Sequence, residues 1–397
     1  MMADPIIIRM IHDDNGLTLD NWLTPPHHRR GLHRVEQIVR CAAIGRGDGP
    51  VRELPTAAEP LDWDTITVAA AGGGEIGGDE YLRRTHTDGL IVLRGNEIVF
   101  ERYFGDFSPT TTHIVMSISK SFCGMLSGVL AETGALDLAA RVRHYLPELD
   151  GTSFGEASVE QLLDMTAAPN YDMSYLDPAA EVHAGDRAAG WRPQHPGDVA
   201  GTRVFLQQLR GAGQHGADFQ YCSGTTDVLS WVLERAGGAG YRELMEGHLW
   251  SRIGAEADAF LTVDGNDTPY ACAGMGMRLR DLARFGRLIL DHGQRDGVSV
   301  IPAGWIAQTR RGGGFVTTAE SDAAPTGTYK NQWWIPGDDH GSFYGVGIFG
   351  QYLWLDPETD VVIAKFAAED SPVADGPESV HALGAIARAA AKTPQEV

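Results

Sequence analysis

The chain has 397 residues, 43% of them hydrophobic, enough to bury a full core in one large domain or two of middling size. Its formal net charge of -21 disfavours nucleic acid and anionic membrane as partners. No basic segment precedes the short apolar run Ile6-Ile7-Ile8 and no apolar stretch reaches spanning length, so neither a signal peptide nor a membrane anchor is expected. The four cysteines, Cys41, Cys123, Cys222 and Cys272, lack the spacing of zinc sites or disulfide frameworks and read as reduced thiols of a cytoplasmic protein.

In chain order, residues 1–60 are expected to form an irregular N-terminal extension, with a turn at Pro25-Pro26 and a solvated or docking cluster at His27-His28-Arg29-Arg30. Residues 65–70 are strand-like. The glycines of 72–77 fit G-x-G-x-x-G, but no repeated strand–helix–strand units follow, so a flexible linker is expected there and not a dinucleotide site. Two β-branched runs, 89–94 and 97–103, flank Gly95-Asn96 and predict a hairpin whose turn needs positive φ. A helix from Ser117 is expected to run to about 133 and stop at Gly134. Residues 151–155 fit the nucleophile-elbow pattern G-x-S-x-G, but a loop and not a buried strand precedes them, so Ser153 ranks below Ser117. Ser158 and Gln161 have capping-box spacing.

Residues 170–196 are polar, aromatic and weakly periodic, as expected of a long loop bordering a substrate site. Helical patterns cover 204–209, 225–236, 241–250, 281–291 and 302–310, and strands return at 341–349, 351–355 and 361–366 before a last helix over 378–392. The predicted fold class is α/β (α+β). Its antiparallel sheet comes from both chain ends, 61–119 and 311–397, with a mainly helical region, 120–310, inserted between them and an active site at the junction.

The chemistry gathers at Ser117-Ile118-Ser119-Lys120. The chain holds only four lysines, and Lys120 lies among Met116, Phe122 and Met125, where a solvated lysine would be out of place. One helical turn from Ser117, its amine can meet the hydroxyl. Desolvation should lower its pKa toward the neutral form, giving a base beside a nucleophile. Tyr221, just before a helix in Tyr221-Cys222-Ser223, offers a phenol that can shuttle protons beside an ammonium. Gly345-Val346-Gly347-Ile348 could bring bare backbone N–H groups to a carbonyl oxygen. The histidines, such as His27, His183 and His340, show no ligand spacing, so no metal or organic cofactor is implied.

Ser117-x-x-Lys120, Tyr221-x-Ser223 and the glycine-rich late strand together resemble the serine β-lactamase/penicillin-binding-protein superfamily, on its class C-like esterase side. Longer stretches, including Asp186-Arg187-Ala188-Ala189-Gly190-Trp191-Arg192, Gln332-Trp333-Trp334 and Gly347-Ile348-Phe349-Gly350-Gln351-Tyr352, are similar to the 6-aminohexanoate-dimer (nylon oligomer) hydrolases. The resemblance implies Ser117 as nucleophile, Lys120 as its base and Tyr221 as acid to the leaving amine. It implies the N–H groups of Ser117 and Ile348 as oxyanion donors. It also implies Tyr175, Asp186, Trp191, Ser223, Cys272, Trp334 and Gly347 as substrate-binding positions, with Tyr175 closing over the substrate and Asp186 holding its free ammonium. The penicillin-recognising members carry Lys-Thr-Gly where Gly345-Val346-Gly347 stands here, so little β-lactamase activity is expected, and Cys272 replaces a polar residue of the dimer hydrolases. A small-molecule amide or ester is the implied partner, and a homodimer is the assembly compatible with the family. Two rival readings stay open: a carboxylesterase of the same fold without amidase activity, and a non-catalytic binding protein on this scaffold.

Overall fold

The computed structural model describes residues 6–7, 16–70, 72–211, 213–314, 327–373 and 376–391. Most of the Met1–Arg9 stretch and Lys392, at the end of the expected last helix, therefore lie outside the described residues. No helix of the described residues is long and apolar enough to cross a membrane.

The central layer is a seven-stranded antiparallel sheet in the order Thr328–Lys330, Trp333–Ile335, Phe343–Gly347, Gln351–Asp356, Val361–Ala367, Thr87–Arg94, Glu97–Tyr103. The early hairpin turns at Gly95, φ +57°, and joins the late strands where Val92 pairs with Ile363. Both chain ends thus share one sheet, as the sequence predicts. Its central strands are apolar at nearly every position because both faces are covered. Ile91, Leu93, Leu353 and Val362 face a core that includes Phe285 and Leu288 of the helix Leu279–Leu290. Leu90, Val92, Trp354 and Ile363 face the opposite way, onto Leu383 and Ile386 of the helix Gly376–Ala390.

A second, five-stranded sheet was not foreseen. It runs Ile6–Ile7, Cys41–Ile44, Ala259–Thr262, Met275–Met277, His113–Ile114. The supposedly irregular first sixty residues thus supply strands to it, and Ala42 pairs with Leu261. The basic cluster is also not simply solvated: His28 is buried, with Nε2 hydrogen-bonded to the carbonyls of Ala368 and Glu369. Two further expectations change. The glycine-rich 72–77 stretch is the turn and return strand of a hairpin between Thr67–Ala69 and Glu75–Gly77, not a flexible linker. Within 170–196, the helix Glu181–Ala188 interrupts the expected loop. Ser153 is buried and donates to the Gly211 carbonyl, and the Ser158–Gln161 capping box is present in both directions.

The helix Ile118–Glu132 lies inside the core, with Ser117 as its N-cap and Gly134 at φ +75° just beyond its end. Gly124 lets this helix touch the loop at Asn331: a Cβ there would stand 2.1 Å from the Asn331 carbonyl oxygen. Gly124→Ala is expected to destabilise the fold by about 1–3 kcal/mol through this overlap. An unchanged Tm in thermal unfolding would contradict it.

Candidate active site

Ser117 sits where a short strand, His113–Ile114, gives way to the buried helix. The turn is tight enough to hold Met116 at φ +49°, a left-handed conformation that costs a side-chain-bearing residue energy. One turn later the Lys120 amine folds back, as the spacing requires. Its Nζ lies 2.9 Å from Ser117 Oγ, 3.2 Å from Ser223 Oγ and 2.9 Å from the Cys272 carbonyl oxygen. It also sits 5.0 Å from the centre of the Tyr221 ring. Lys120 is 1% exposed, so the amine is dry.

Its protonation state differs from the expectation. Burial is the largest single influence and pushes the Lys120 pKa down, but Tyr221, Cys272 and Asp227 beside it together raise it above the ordinary lysine value. The resting amine is therefore an ammonium, and its three N–H bonds match its three acceptors. Loss of one proton leaves N–H groups for Ser223 and the Cys272 carbonyl, with a lone pair free to face Ser117. Asp227 completes this arrangement and was missed from sequence. It is buried in the helix Ser223–Gly237, its Oδ1 accepts from the Cys272 N–H at 2.9 Å, and burial pushes its carboxyl up to about 7. A single acid in the otherwise uncharged stretch 223–233 was the available signal.

Across the site, the strand Phe343–Gly347 ends beside the Ser117 turn. A Cβ on Gly347 would stand 2.6 Å from the Val115 carbonyl oxygen and 2.7 Å from Met116 Cβ, so only glycine permits this approach. The next residue is Ile348. Among the described residues neither its N–H nor that of Ser117 is engaged in a hydrogen bond. Gln351, a second residue whose part was not read from sequence, pins this turn. Its buried amide donates to the carbonyls of Ile348, Phe349 and Ala367 and accepts from the Ala367 N–H.

Ser117 opens onto two connected lobes. One, of about 450 Å³, holds the charged side chains Asp186, Arg187 and Arg192 together with His183 on an otherwise mostly apolar lining, with Trp191 as a wall, and is the polar lobe in that sense. The other, of about 680 Å³, is the one richer in aromatic rings and includes Tyr221, Trp334 and Gly347. Tyr175 and Ile348 border both, and Ser223 faces the polar lobe. Asp186 is not free to meet a ligand unaided, since Arg192 Nε donates to its Oδ2 at 3.1 Å and the Tyr270 hydroxyl to its Oδ1 at 3.0 Å. Trp191 is fixed by its own hydrogen bond to Thr262 Oγ1 and by edge contacts with Trp22 and Tyr270. Cys272 lines neither lobe; its thiol is buried and its carbonyl is the part that meets Lys120.

A buried lysine one turn after a serine, at the rim of a cleft under an antiparallel sheet, is an arrangement that can be compared with known proteins. The profile described as Beta-lactamase matches residues 79–387. The chain belongs to the β-lactamase family. A 6-aminohexanoate-dimer hydrolase of Paenarthrobacter ureafaciens is 40% identical over 358 residues, covering 89% of each chain. A solved Bacillus anthracis structure, described as a candidate 6-aminohexanoate-dimer hydrolase, superposes with a TM-score of 0.86 at 27% identity, covering 96% of this chain and 99% of that one. A family VIII carboxylesterase shares the fold at a TM-score of 0.57 and 16% identity, over 76% of this chain and 92% of its own. As a β-lactamase-family member with these relatives, the chain is a hydrolase of the serine type.

Proposed function

We propose that this β-lactamase-family hydrolase cleaves linear amides of the 6-aminohexanoate-dimer type, and short-chain esters, through an acyl-enzyme on Ser117. The observation that carries the reading is the Lys120 amine, dry and 2.9 Å from Ser117 Oγ at the meeting of the two lobes.

In its deprotonated form Lys120 takes the Ser117 proton as Oγ attacks the carbonyl carbon. The oxyanion is held by the two unengaged N–H groups, Ser117 and Ile348, whose worth is greatest in a site sheltered from water. Collapse breaks the C–N bond while the Tyr221 hydroxyl gives its proton to the departing nitrogen and regains one from the Lys120 ammonium. Water then attacks the acyl ester and returns a proton through the same pair, releasing the acid and restoring Ser117. Tyr221 lines only the aromatic lobe, so the leaving amine belongs there and the acyl chain in the polar lobe, near Asp186.

The experiment is a comparison of turnover on 6-aminohexanoate dimer and on a short-chain p-nitrophenyl ester. Both are expected to be cleaved. Ester turnover with no dimer cleavage would remove the amidase reading and leave the carboxylesterase one.

A further inference from the structure

The two lobes differ in charge in a way that bears on what can leave. The described residues lining the aromatic lobe include Tyr171, Phe219, Tyr221, Trp334, Val346 and Tyr352, and none of them is a lysine or arginine. The only charged side chain among them is Asp172, an exposed carboxylate at the rim. The rings are packed on one another: Trp334 lies 5.4 Å from Tyr221 and 5.6 Å from Phe219, centre to centre. Among the described residues, the arginines that line the cleft, Arg187 and Arg192, both belong to the polar lobe, where Asp198 and Asp186 hold them. The whole chain carries a formal charge of -21, which adds a repulsive field for any anion entering the cleft.

We infer that the aromatic lobe is a leaving-group subsite for uncharged, ring-bearing amines and alcohols, and that it discriminates against leaving groups tipped with a carboxylate. The inference rests on the proposed reading that Ser117 is acylated and that Tyr221 protonates the leaving group. A carboxylate moved into this lobe loses hydration and finds no lysine or arginine in its described lining, since the buried amines behind Tyr221 and Tyr352, Lys120 and Lys365, are already bonded to protein acceptors. An aryl group instead gains contact with the clustered rings. The amine half of 6-aminohexanoate dimer carries such a carboxylate. On this account the dimer is a substrate by virtue of its acyl half and is handicapped by its other half.

The test uses two amides that share the 6-aminohexanoyl acyl group. One has 6-aminohexanoate as leaving amine, the other 5-phenylpentylamine; both amines are primary and alkyl, so the chemical step is matched and only the tip differs. kcat/KM is expected to favour the phenyl-tipped amide on the order of tenfold or more, the scale of burying one ring in place of a solvated anion. Val346→Lys, which places a cation on the lobe wall, is expected to shrink that ratio by raising turnover of the carboxylate-tipped amide. Intact mass of the enzyme quenched during turnover separates the two ideas. If an acyl adduct forms on Ser117 but the two amides are equal, or the carboxylate-tipped one is better, the subsite inference is overturned and the acyl-enzyme reading stands. If no adduct forms on Ser117 with either amide or with a p-nitrophenyl ester, the reading fails and the inference with it.

Discussion

Replacing Ser117 with alanine is expected to remove hydrolysis of both amide and ester, by between roughly 10³- and 10⁶-fold in kcat, the range found when a hydrolase loses its nucleophile. The change deletes one oxygen from a site where Ser117 Oγ makes a single hydrogen bond, to Lys120, whose ammonium keeps its bonds to Ser223 and the Cys272 carbonyl. The fold should therefore be retained, with a Tm close to that of the parent. Assay of purified Ser117→Ala against the same esters and amides, with its thermal unfolding, checks both halves. Residual activity within tenfold of the parent would place the nucleophile elsewhere. Ser153 is not an attractive substitute, since it is buried and its hydroxyl is committed to the Gly211 carbonyl.

The second large effect is expected at Lys120. Lys120→Met keeps the length and apolar stem of the side chain but removes the amine, and kcat/KM should fall by roughly 10² to 10⁴-fold, the usual contribution of a positioned general base. The pH dependence gives an independent reading. Because neighbouring Tyr221, Cys272 and Asp227 outweigh burial and raise the Lys120 pKa, the amine is mostly protonated at neutral pH, and the base form grows as pH rises. The wild-type kcat/KM for an uncharged ester is thus expected to climb with pH through the alkaline range, while the methionine variant loses that climb. A wild-type profile that is flat or falling from neutral to alkaline pH would contradict Lys120 as the base.

Sequence patterns reached five of the seven strands of the central sheet because their hairpins are local; the three-residue strands Thr328–Lys330 and Trp333–Ile335 are too short to show a period. The runs either side of Gly95-Asn96, and those at Gln351–Asp356 and Val361–Ala367, are long enough for β-branched composition to declare them. The Ser117–Lys120 contact was equally legible, since helical spacing alone sets it. The second sheet was not, for a physical reason. Its strands are two to four residues long, too short to show a period, and Cys41–Ile44 finds its partner at Ala259–Thr262, more than two hundred positions away. The charge on Lys120 escaped for a related reason. The neighbours visible along the chain are Met, Phe and Leu, which argue for a neutral amine. The groups that hold the proton, Tyr221, Cys272 and Asp227 with the Ser223 hydroxyl, arrive from other segments and are known only once the fold is. The same holds for Asp186, whose carboxylate looks open in sequence but is already shared between Arg192 and Tyr270.

The most direct measurement is intact-mass analysis followed by peptide mapping of the enzyme quenched during turnover of a p-nitrophenyl ester. One acyl group per chain is expected, on the peptide carrying Ser117, and none on Ser117→Ala. Hydrolysis that proceeds with the acyl group on a different serine, or with no covalent species at all, would contradict it.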